Sequence, residues 1–323
     1  MNDKKITFNL GVVGQVKPYI LRLCLSITFL SGWIFSQEKT LYILHTNNTN
    51  GALENCYCPD HPFGAVEKRT IFISEFLNKH SNVILLDAGD IFTMTHQAFK
   101  DSLMAEAYRL LPYDAVLPGD QELMMDPNDF NRLFDKMGIH VVATNITVAD
   151  IKGLLVSHIV ERDGLKIAIL GIMDPYAVKY YSPELINHIQ LEDPIAAVKK
   201  TMKKLTDQVD IFVLLTHQGA DLDYEMAEKI DGLHLIVGAH SQSAIEKPEE
   251  VNGTLIVQAG KEGYYVGIAE LIINGKEVVK KTGRIDTMRL DMPDNSSVMN
   301  MIHEYEKKTG RINHQKLKLK AKK

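Results

Sequence analysis

Acidic, amide and histidine side chains recur in this sequence directly after short apolar runs. The clearest case is Asp90, which follows the apolar residues 83–86 and a turn that contains Gly89. Four apolar residues in a row are typical of a strand that is buried on both faces of a sheet. The same order recurs at further runs, which lead to Asn48 and Asn50, Asp120 and Gln121, His217, and His240 and Gln242.

These side chains carry the oxygen and imidazole donors that suit Zn, Mn or Fe. In open α/β sheets, ligands bind at the carboxyl ends of the strands. If the strands lie side by side, the donors converge on one cleft. Taken singly, each of these residues could instead belong to a turn or cap a helix.

In order and wording, these motifs resemble the calcineurin-like metallophosphoesterases. The resemblance is strongest to the catalytic domain of periplasmic 5′-nucleotidases and UDP-sugar hydrolases, and it covers residues 40–286. It implies a four-layer α/β/β/α sandwich, a pair of divalent metals bridged by one Asp, and hydrolysis of phosphate esters. The bridging position is Asp90 in this sequence.

The sequence departs from the family pattern at four positions of the site. Asn48 stands where the family has Asp, and Asn50 stands where it has His. Asp120 stands where the family has a metal-binding Asn, and Gln121 replaces its catalytic His. The remaining positions match the family, and they are Asp90, His217, His240 and, as in the periplasmic subgroup, Gln242.

On this comparison, one metal site keeps a full set of ligands and the other does not. The first set consists of Asp90, Asp120, His217 and His240. Two carboxylates and two imidazoles suit four-coordinate Zn, or leave open positions on Mn or Fe. The weak second set shares Asp90 and adds only the amides of Asn48, Asn50 and Gln242. Because neutral amides hold a transition metal poorly, we expect one tightly bound divalent ion per chain and at most a weak second.

Asp90, as the bridging ligand, and Gln121 are the catalytic candidates. An amide cannot deliver a proton, and the loss of a general acid costs about 10²- to 10⁴-fold in rate. The resemblance, with these replacements, therefore implies a slow metal-dependent phosphoesterase whose ligand is a small phosphate ester or nucleotide-like molecule. The alternative is a degenerate family member that binds a phosphate ligand or a protein partner without useful catalysis. The carboxylate gained at Asp120 favours the enzyme.

The N-terminal segment has the pattern of an export signal. Basic residues precede the apolar stretch 23–35, and the small residue Ser36 follows it. The alternative is an uncleaved N-terminal anchor. We expect a periplasmic or extracellular protein, with membrane contact only through an uncleaved N-terminus or the basic C-terminal tail. The formal net charge of −5 does not suggest a nucleic-acid binder.

Three further features lie outside the motifs. Cys56 and Cys58 are interpreted as two loop thiols or as one local disulfide. His45 either orients a ligand or has a buried, hydrogen-bonded role. Lys68 and Arg69, on a helix after the first strand, are expected to be surface charges.

The elements that must position the motifs alternate between strand and helix in the first half of the chain and become antiparallel strands near its end. This order predicts two facing sheets with helices outside, which is the α/β/β/α sandwich of the resemblance. The boundaries are a signal peptide at 1–36, one metallophosphoesterase-like domain at 37–290, and a C-terminal helix with a basic tail at 291–323. We expect no room for the second, nucleotide-binding domain of the family, so its nucleotide selectivity is not carried over.

Overall fold

A computed structural model of the chain describes residues 38–57 and 63–312. The expected signal peptide, Cys58 and the end of the basic tail lie outside these ranges, while Cys56 is disulfide-bonded. Within the described ranges, no helix has both the length and the apolar character needed to cross a bilayer.

Short strands and helices follow each other along the chain. The strands are β1 (Lys39–Thr46), β2 (Val83–Asp87), β3 (Ala115–Val116), β4 (Val141–Val142), β5 (Ile146–Val148), β6 (Leu154–Leu155), β7 (His158–Arg162), β8 (Leu165–Met173), β9 (Ile189–Leu191), β10 (Ile211–His217), β11 (Leu235–Val237), β12 (Glu249–Val251), β13 (Thr254–Val257), β14 (Tyr265–Asn274) and β15 (Glu277–Thr287). The helices are α1 (Val66–Lys79), α2 (Ala98–Tyr108), α3 (Asp120–Leu123), α4 (Pro127–Met137), α5 (Pro183–Ile186), α6 (Pro194–Leu205), α7 (Ala220–Lys229) and α8 (Ser296–Thr309), with a 3₁₀ turn at Pro175–Val178.

Two large mixed sheets and a small one organise these strands. The order in the seven-stranded sheet is β15-β14-β1-β2-β3-β4-β6, and that in the six-stranded sheet is β12-β13-β11-β10-β8-β7. Strands β5 and β9 form the small sheet. In both large sheets the central strands run parallel, whereas β14, β15, β7 and β12 pair antiparallel at the edges. The carboxyl ends of the parallel strands therefore share one edge in each sheet.

The residues of β10 show how the sheets are layered. Ile211, Val213 and Leu215 belong to the large core cluster, which also contains the strands of the other sheet. Phe212 and Leu214, on the opposite face, pack with residues of α6 and α7 in a second cluster. Because successive strand residues point to opposite faces, one face of this sheet meets the other sheet and one meets helices. The predicted four-layer α/β/β/α sandwich is confirmed.

The ends of α4 follow local sequence chemistry. The α4 helix begins after Asp126, whose carboxylate accepts from the backbone N–H of Asn128 at 2.9 Å, and it ends at Gly138 with a φ of 69°. Two helices differ from the sequence-based expectation. The helix expected at 102–111 spans 98–108, because Leu111 is buried in a turn beyond the helix end. The helix expected from Asp223 begins at Ala220.

The expectation that Lys68 and Arg69 are surface charges is wrong. The ammonium group of Lys68 donates to the backbone oxygen of Met292 at 2.7 Å and pairs with Asp294. Arg69 is 1% exposed and donates to the Thr49 hydroxyl at 2.9 Å. Lys68 is buried because the segment that leads into α8 covers it. Arg69 is buried on the inner side of α1, where its guanidinium also lies 5.1 Å from the centroid of the Tyr108 ring.

Candidate active site

The loops that follow β1, β2, β3, β10 and β11 meet at one edge of the sandwich. Main-chain hydrogen bonds join the first two loops, since the N–H of Asn48 donates to Gly89 at 2.8 Å and that of Asn50 donates to Asp90 at 2.8 Å. The loops after β10 and β11 are joined by the N–H of Gly219, which donates to Ala239 at 3.0 Å. The structure thus brings the predicted motifs to one place.

Two glycines allow this close approach. A side chain on Gly119 would clash with the carboxylate of Asp90 and with the imidazole ring of His217. A side chain on Gly89, whose φ is 96°, would clash with the backbone of Gly119. Glycine alone tolerates the close contact at both positions and the positive φ at Gly89.

Asp120, His217 and His240 form the centre of the site. Oδ1 of Asp120 lies 3.0 Å from Nε2 of His217 and 3.1 Å from Nδ1 of His240. One ligand atom from each of the three residues lies within 4.8 Å of the others. His217 is fully buried, and His240 is partly exposed at the mouth of the site.

The tautomer of His217 is fixed by the backbone. Its Nδ1 lies 2.8 Å from the carbonyl oxygen of Ala88, which can only accept, so Nδ1 carries the hydrogen. In the neutral ring, Nε2 then carries a lone pair. This lone pair faces Oδ1 of Asp120 at 3.0 Å and Oδ2 of Asp90 at 3.4 Å. Three acceptors that face each other in a buried space require a positive charge between them. A divalent cation or a proton on His217 supplies it, so the donor set fits a metal.

The pKa shifts of His217 and Asp120 also indicate that a positive charge belongs between them. Burial lowers the pKa of His217, but the charge of Asp90 and the hydrogen bonds to Asp120 outweigh it and raise that pKa well above its ordinary value. Burial raises the pKa of Asp120, while the hydrogen bonds from His217 and His240 outweigh it and lower that pKa below its ordinary value. These shifts favour a carboxylate on Asp120 and an imidazolium on His217 when no metal is bound.

Asp90 lies between this cluster and the predicted amide positions. Its Oδ2 accepts from Nδ2 of Asn48 at 3.2 Å, and its Oδ1 accepts from the backbone N–H of Gln121 at 3.3 Å. Asp90 is thus next to both predicted ligand sets, as the resemblance implies for a bridging residue.

Backbone groups fix which atom of Asn48 faces Asp90. The backbone N–H of Ala259 donates to Oδ1 of Asn47 at 2.8 Å, so Nδ2 of Asn47 points to Gly260 and to Oδ1 of Asn48. The amide oxygen of Asn48 is therefore occupied as an acceptor. Its remaining atom, the NH₂ nitrogen, donates to Asp90, and a nitrogen of this kind does not bind a metal.

Asn50 and Gln121 are fixed in the same way. Nδ2 of Asn50 donates to the backbone oxygen of Asn48 at 3.0 Å, so Oδ1 of Asn50 is left to accept from Nε2 of Gln121 at 2.9 Å. Oε1 of Gln121 is buried and has no hydrogen-bond partner within the described part of the chain. Gln242 is half-buried two residues after His240, and its side chain has no described hydrogen bond to the other site residues.

Sequence reasoning missed two residues that hold the site together. The Tyr181 hydroxyl donates to Oδ2 of Asp120 at 2.6 Å. The carboxylate of Glu122 accepts from the backbone N–H groups of Gly119 and of Asp90 to Phe92 at 2.8 to 3.0 Å. Glu122 stands in the same motif as Asp120, which was a usable signal, whereas nothing in the sequence near Tyr181 marks it.

Several site residues have left-handed backbone conformations. The φ angles are 47° at Asn48, 52° at Asn50, 58° at Asp90, 73° at His240 and 57° at Gln242. Such conformations are uncommon outside glycine and cluster at functional sites, although Asn, Asp and His adopt them more readily than most residues. The residue types at this edge therefore also suit its backbone.

His45 is buried, but the hydrogen bond expected with that burial is absent among the described residues. Its ring is 0% exposed, and neither nitrogen has a hydrogen-bond partner among the described residues. The ring packs against Gly267, its partner across β1 and β14, where a larger residue would collide with it. Burial lowers the pKa of His45 to about 3, so the ring is neutral at physiological pH.

The fold is shared with solved structures. The 5′-nucleotidase precursor of Thermus thermophilus matches with a TM-score of 0.74 at 22% identity, over 83% of this chain and 59% of that chain. The chain has the calcineurin-like metallophosphoesterase fold. No protein-family model matches it.

Relatives found by sequence match most of this chain. The trifunctional nucleotide phosphoesterase YfkN of Bacillus subtilis is 26% identical over 282 residues, which is 74% of this chain and 18% of that protein. The 5′-nucleotidase of Mus musculus is 26% identical over 339 residues, which is 93% of this chain and 58% of that protein. The chain thus resembles one part of each of these longer proteins, and its site edge carries the motifs of the resemblance.

Proposed function

We propose that this chain is a metal-dependent phosphoesterase that hydrolyses phosphate monoesters of the 5′-nucleotide class. The observation that supports it is the convergence of one carboxylate and two imidazoles within 4.8 Å at the edge where the loops meet. Relatives that are named a nucleotide phosphoesterase and a 5′-nucleotidase match this region at 26% identity.

Asp120, His217 and His240 would hold the metal, with Asp90 beside them. When bound, a divalent ion activates water as a Lewis acid and stabilises charge on the phosphoryl oxygens. The backbone carbonyl of Ala88 holds the His217 ring in the tautomer that presents Nε2 to the site. Tyr181 holds the Asp120 carboxylate from its other oxygen.

The orientation of the amides supports the proposal of one tightly bound ion per chain. The second predicted set would need the amide oxygens of Asn48 and Asn50 as ligands. The first of these accepts from Asn47 and the second from Gln121. The N–H of Asn48 instead donates to Asp90, where it supplies partial positive charge to that carboxylate.

Gln121 limits the rate of the proposed reaction. Its Nε2 donates one hydrogen bond to Asn50, and its Oε1 is an acceptor without a partner among the described residues. An acceptor can orient a water or a substrate hydroxyl, but it cannot protonate a leaving group. We expect turnover about 10²- to 10⁴-fold below that of an otherwise equal site with a general acid.

Metal analysis together with phosphate-ester hydrolysis tests the proposal. The purified protein is loaded in turn with Mn, Zn, Co and Fe, and hydrolysis of an aryl phosphate is followed at each metal. We expect about one ion per chain by calorimetry and slow turnover with at least one metal. Asp120→Ala should lose both the bound metal and the turnover. Asp135→Ala, which removes an exposed carboxylate on α4, should keep both.

Dialysed protein that retains no metal under any loading condition, and that hydrolyses no phosphate ester, would contradict the proposal. Metal binding without turnover would favour a ligand-binding protein instead. Because the imidazoles must be neutral to bind a metal, metal release as the pH is lowered is a further expected property.

We also propose that the protein is exported. The support is the pattern of basic residues, the apolar stretch 23–35 and Ser36 in the N-terminal segment. N-terminal sequencing of the protein from its native cells should show a chain that begins near residue 37. An intact N-terminus on a protein from the cytoplasmic fraction would contradict export.

A further inference from the structure

A cleft of about 370 Å³ opens beside the metal-ligand cluster. It is lined by Tyr176, the segment 218–222, His240, Ser241 and Ser243. We call it the Tyr176 cleft. His240 belongs both to this lining and, through its Nδ1 at 3.1 Å from Asp120, to the cluster. The cleft is therefore the space next to the site into which the ester group of a bound phosphate monoester can extend.

One wall of the Tyr176 cleft is an aromatic ring held on a short rigid turn. Tyr176 is 53% exposed, and its backbone N–H donates to Asp174 at 2.8 Å, which caps the 3₁₀ turn. The next two residues, Ala177 and Val178, are buried in the core. Further along, Tyr181 is tied to Asp120. These contacts fix the turn relative to the cluster. The ammonium group of Lys179 lies 3.1 Å from the centroid of the Tyr176 ring and covers one of its faces, so a planar base can stack only on the other face.

Other residues of the lining contribute polar groups. Asp221 presents an exposed carboxylate, and the hydroxyl of Ser243 is hydrogen-bonded to that of Ser241 at 3.1 Å. The lining residues include no Lys or Arg. A carboxylate accepts hydrogen bonds from hydroxyl groups and repels a second phosphate.

Size and chemistry together select one kind of occupant. Pockets for small molecules span about 300 to 1,000 Å³, so a cleft of about 370 Å³ suits a single nucleoside rather than a dinucleotide. An aromatic wall suits a base, and a carboxylate suits the vicinal hydroxyls of a ribose.

We propose that the Tyr176 cleft binds the nucleoside part of a nucleoside monophosphate, with the base on Tyr176 and the ribose hydroxyls on Asp221. This site rests on the proposed function, because it assumes a phosphate held at the cluster beside His240. It also predicts that nucleoside monophosphates bind better than diphosphates, whose second phosphate would face Asp221.

Equilibrium dialysis with adenosine and with inorganic phosphate tests the site on metal-loaded, full-length protein. Tyr176→Ala should weaken adenosine binding by about 5-fold or more and leave phosphate binding unchanged. Tyr176→Phe keeps the ring and should keep the affinity. Tyr180→Ala is the matched control, since this neighbouring tyrosine is 87% exposed and does not line the cleft. The Tyr180→Ala variant should bind adenosine and phosphate with unchanged affinity.

The carboxylate has its own test. Asp221→Asn should weaken binding of adenosine but not of 2′,3′-dideoxyadenosine, which lacks the hydroxyls. Adenosine affinity that is unchanged in both Tyr176→Ala and Asp221→Asn would overturn the site, as would equal losses in Tyr176→Ala and Tyr180→Ala.

Kinetics separate this site from the proposed function. In an active enzyme, Tyr176→Ala should raise KM for adenosine 5′-monophosphate and leave kcat, and should leave KM for glycerol 1-phosphate unchanged. Hydrolysis with an unchanged KM would reject the cleft and keep the function. Adenosine binding without any hydrolysis would keep the cleft and reject the function.

Discussion

The hydroxyl of Tyr181 donates a hydrogen bond of 2.6 Å to Oδ2 of Asp120, while Oδ1 of the same carboxylate faces His217 and His240. The carboxylate is thereby held with one oxygen directed at the proposed metal and the other outside it. This relationship links the segment that carries the Tyr176 cleft to the cluster.

Tyr181→Phe should weaken metal binding by about 10- to 100-fold, because hydrogen bonds to ligating groups orient them. Calorimetric titration with Zn or Mn measures the change. Tyr180→Phe, which removes a hydroxyl from an exposed neighbour, should bind metal as the unchanged protein does. Equal affinities of the Tyr181→Phe variant and the unchanged protein would show that the bond does not orient Asp120.

Restoring the family residues should rebuild the second metal site. The combined variant Asn48→Asp, Asn50→His, Asp120→Asn and Gln121→His replaces the donor that faces Asp90 with a carboxylate oxygen. We expect metal content to rise towards two ions per chain and the phosphatase rate to increase. Without metal, the two adjacent carboxylates should repel, so added metal should raise Tm more than in the unchanged protein.

The matched control for that experiment restores all positions except Asn48. It should remain near one ion per chain, because an amide nitrogen still faces Asp90. A folded variant that binds two metals but is no faster would show that the ligand changes do not limit the rate.

Arg69→Met should destabilise the fold by about 3 to 5 kcal/mol at pH 7, because it leaves a buried carboxylate without its counter-charge. Burial raises the pKa of Asp87 to about 6, and the charge of Arg69 acts against that rise. Because the pKa of Asp87 is raised from 3.8 to about 6 in the folded state, its carboxyl is mostly protonated at pH 5 and carries little charge that needs Arg69. The loss of stability in Arg69→Met should therefore be smaller at pH 5 than at pH 7. Denaturant unfolding at both pH values measures it.

Two variants control the Arg69 experiment. Adding Asp87→Asn to Arg69→Met should remove the pH-dependent part of the loss. Arg132→Met, on the exposed face of α4, should change stability by less than about 0.5 kcal/mol. A loss for Arg69→Met that is equal at pH 5 and pH 7 would contradict a role for Asp87.

His45 should make the fold sensitive to acid. Burial lowers the pKa of His45 from 6.5 to about 3, so the folded state binds the proton only at a lower pH than the unfolded state does. The stability that this creates is present above pH 6.5 and is lost as the pH falls towards 3, by at most about 1.4 kcal/mol per pH unit. His45→Leu should flatten this part of the stability curve, and the exposed His303→Leu should not. Equal slopes in all three proteins would contradict this assignment.

The sequence by itself determined the elements of the fold and the order of the site motifs. The run at 83–86 specified β2, and Asp126 with Gly138 specified both ends of α4, because these signals depend on neighbours in the chain. Asp120, His217 and His240 were predicted from strand ends, and the parallel strands bring them together. What these residues bind stays a prediction.

Only the tertiary structure decided which atoms the site presents. Asn48 directs its N–H at Asp90 because Ala259 and Gly260, more than 200 residues away, orient Asn47. Tyr181 reaches Asp120 across 61 residues of chain. Arg69 is buried, and His45 lacks hydrogen-bond partners among the described residues, because of neighbours from distant elements. The direction of a hydrogen bond and the burial of a charge depend on such distant groups, and periodicity along the chain does not record them.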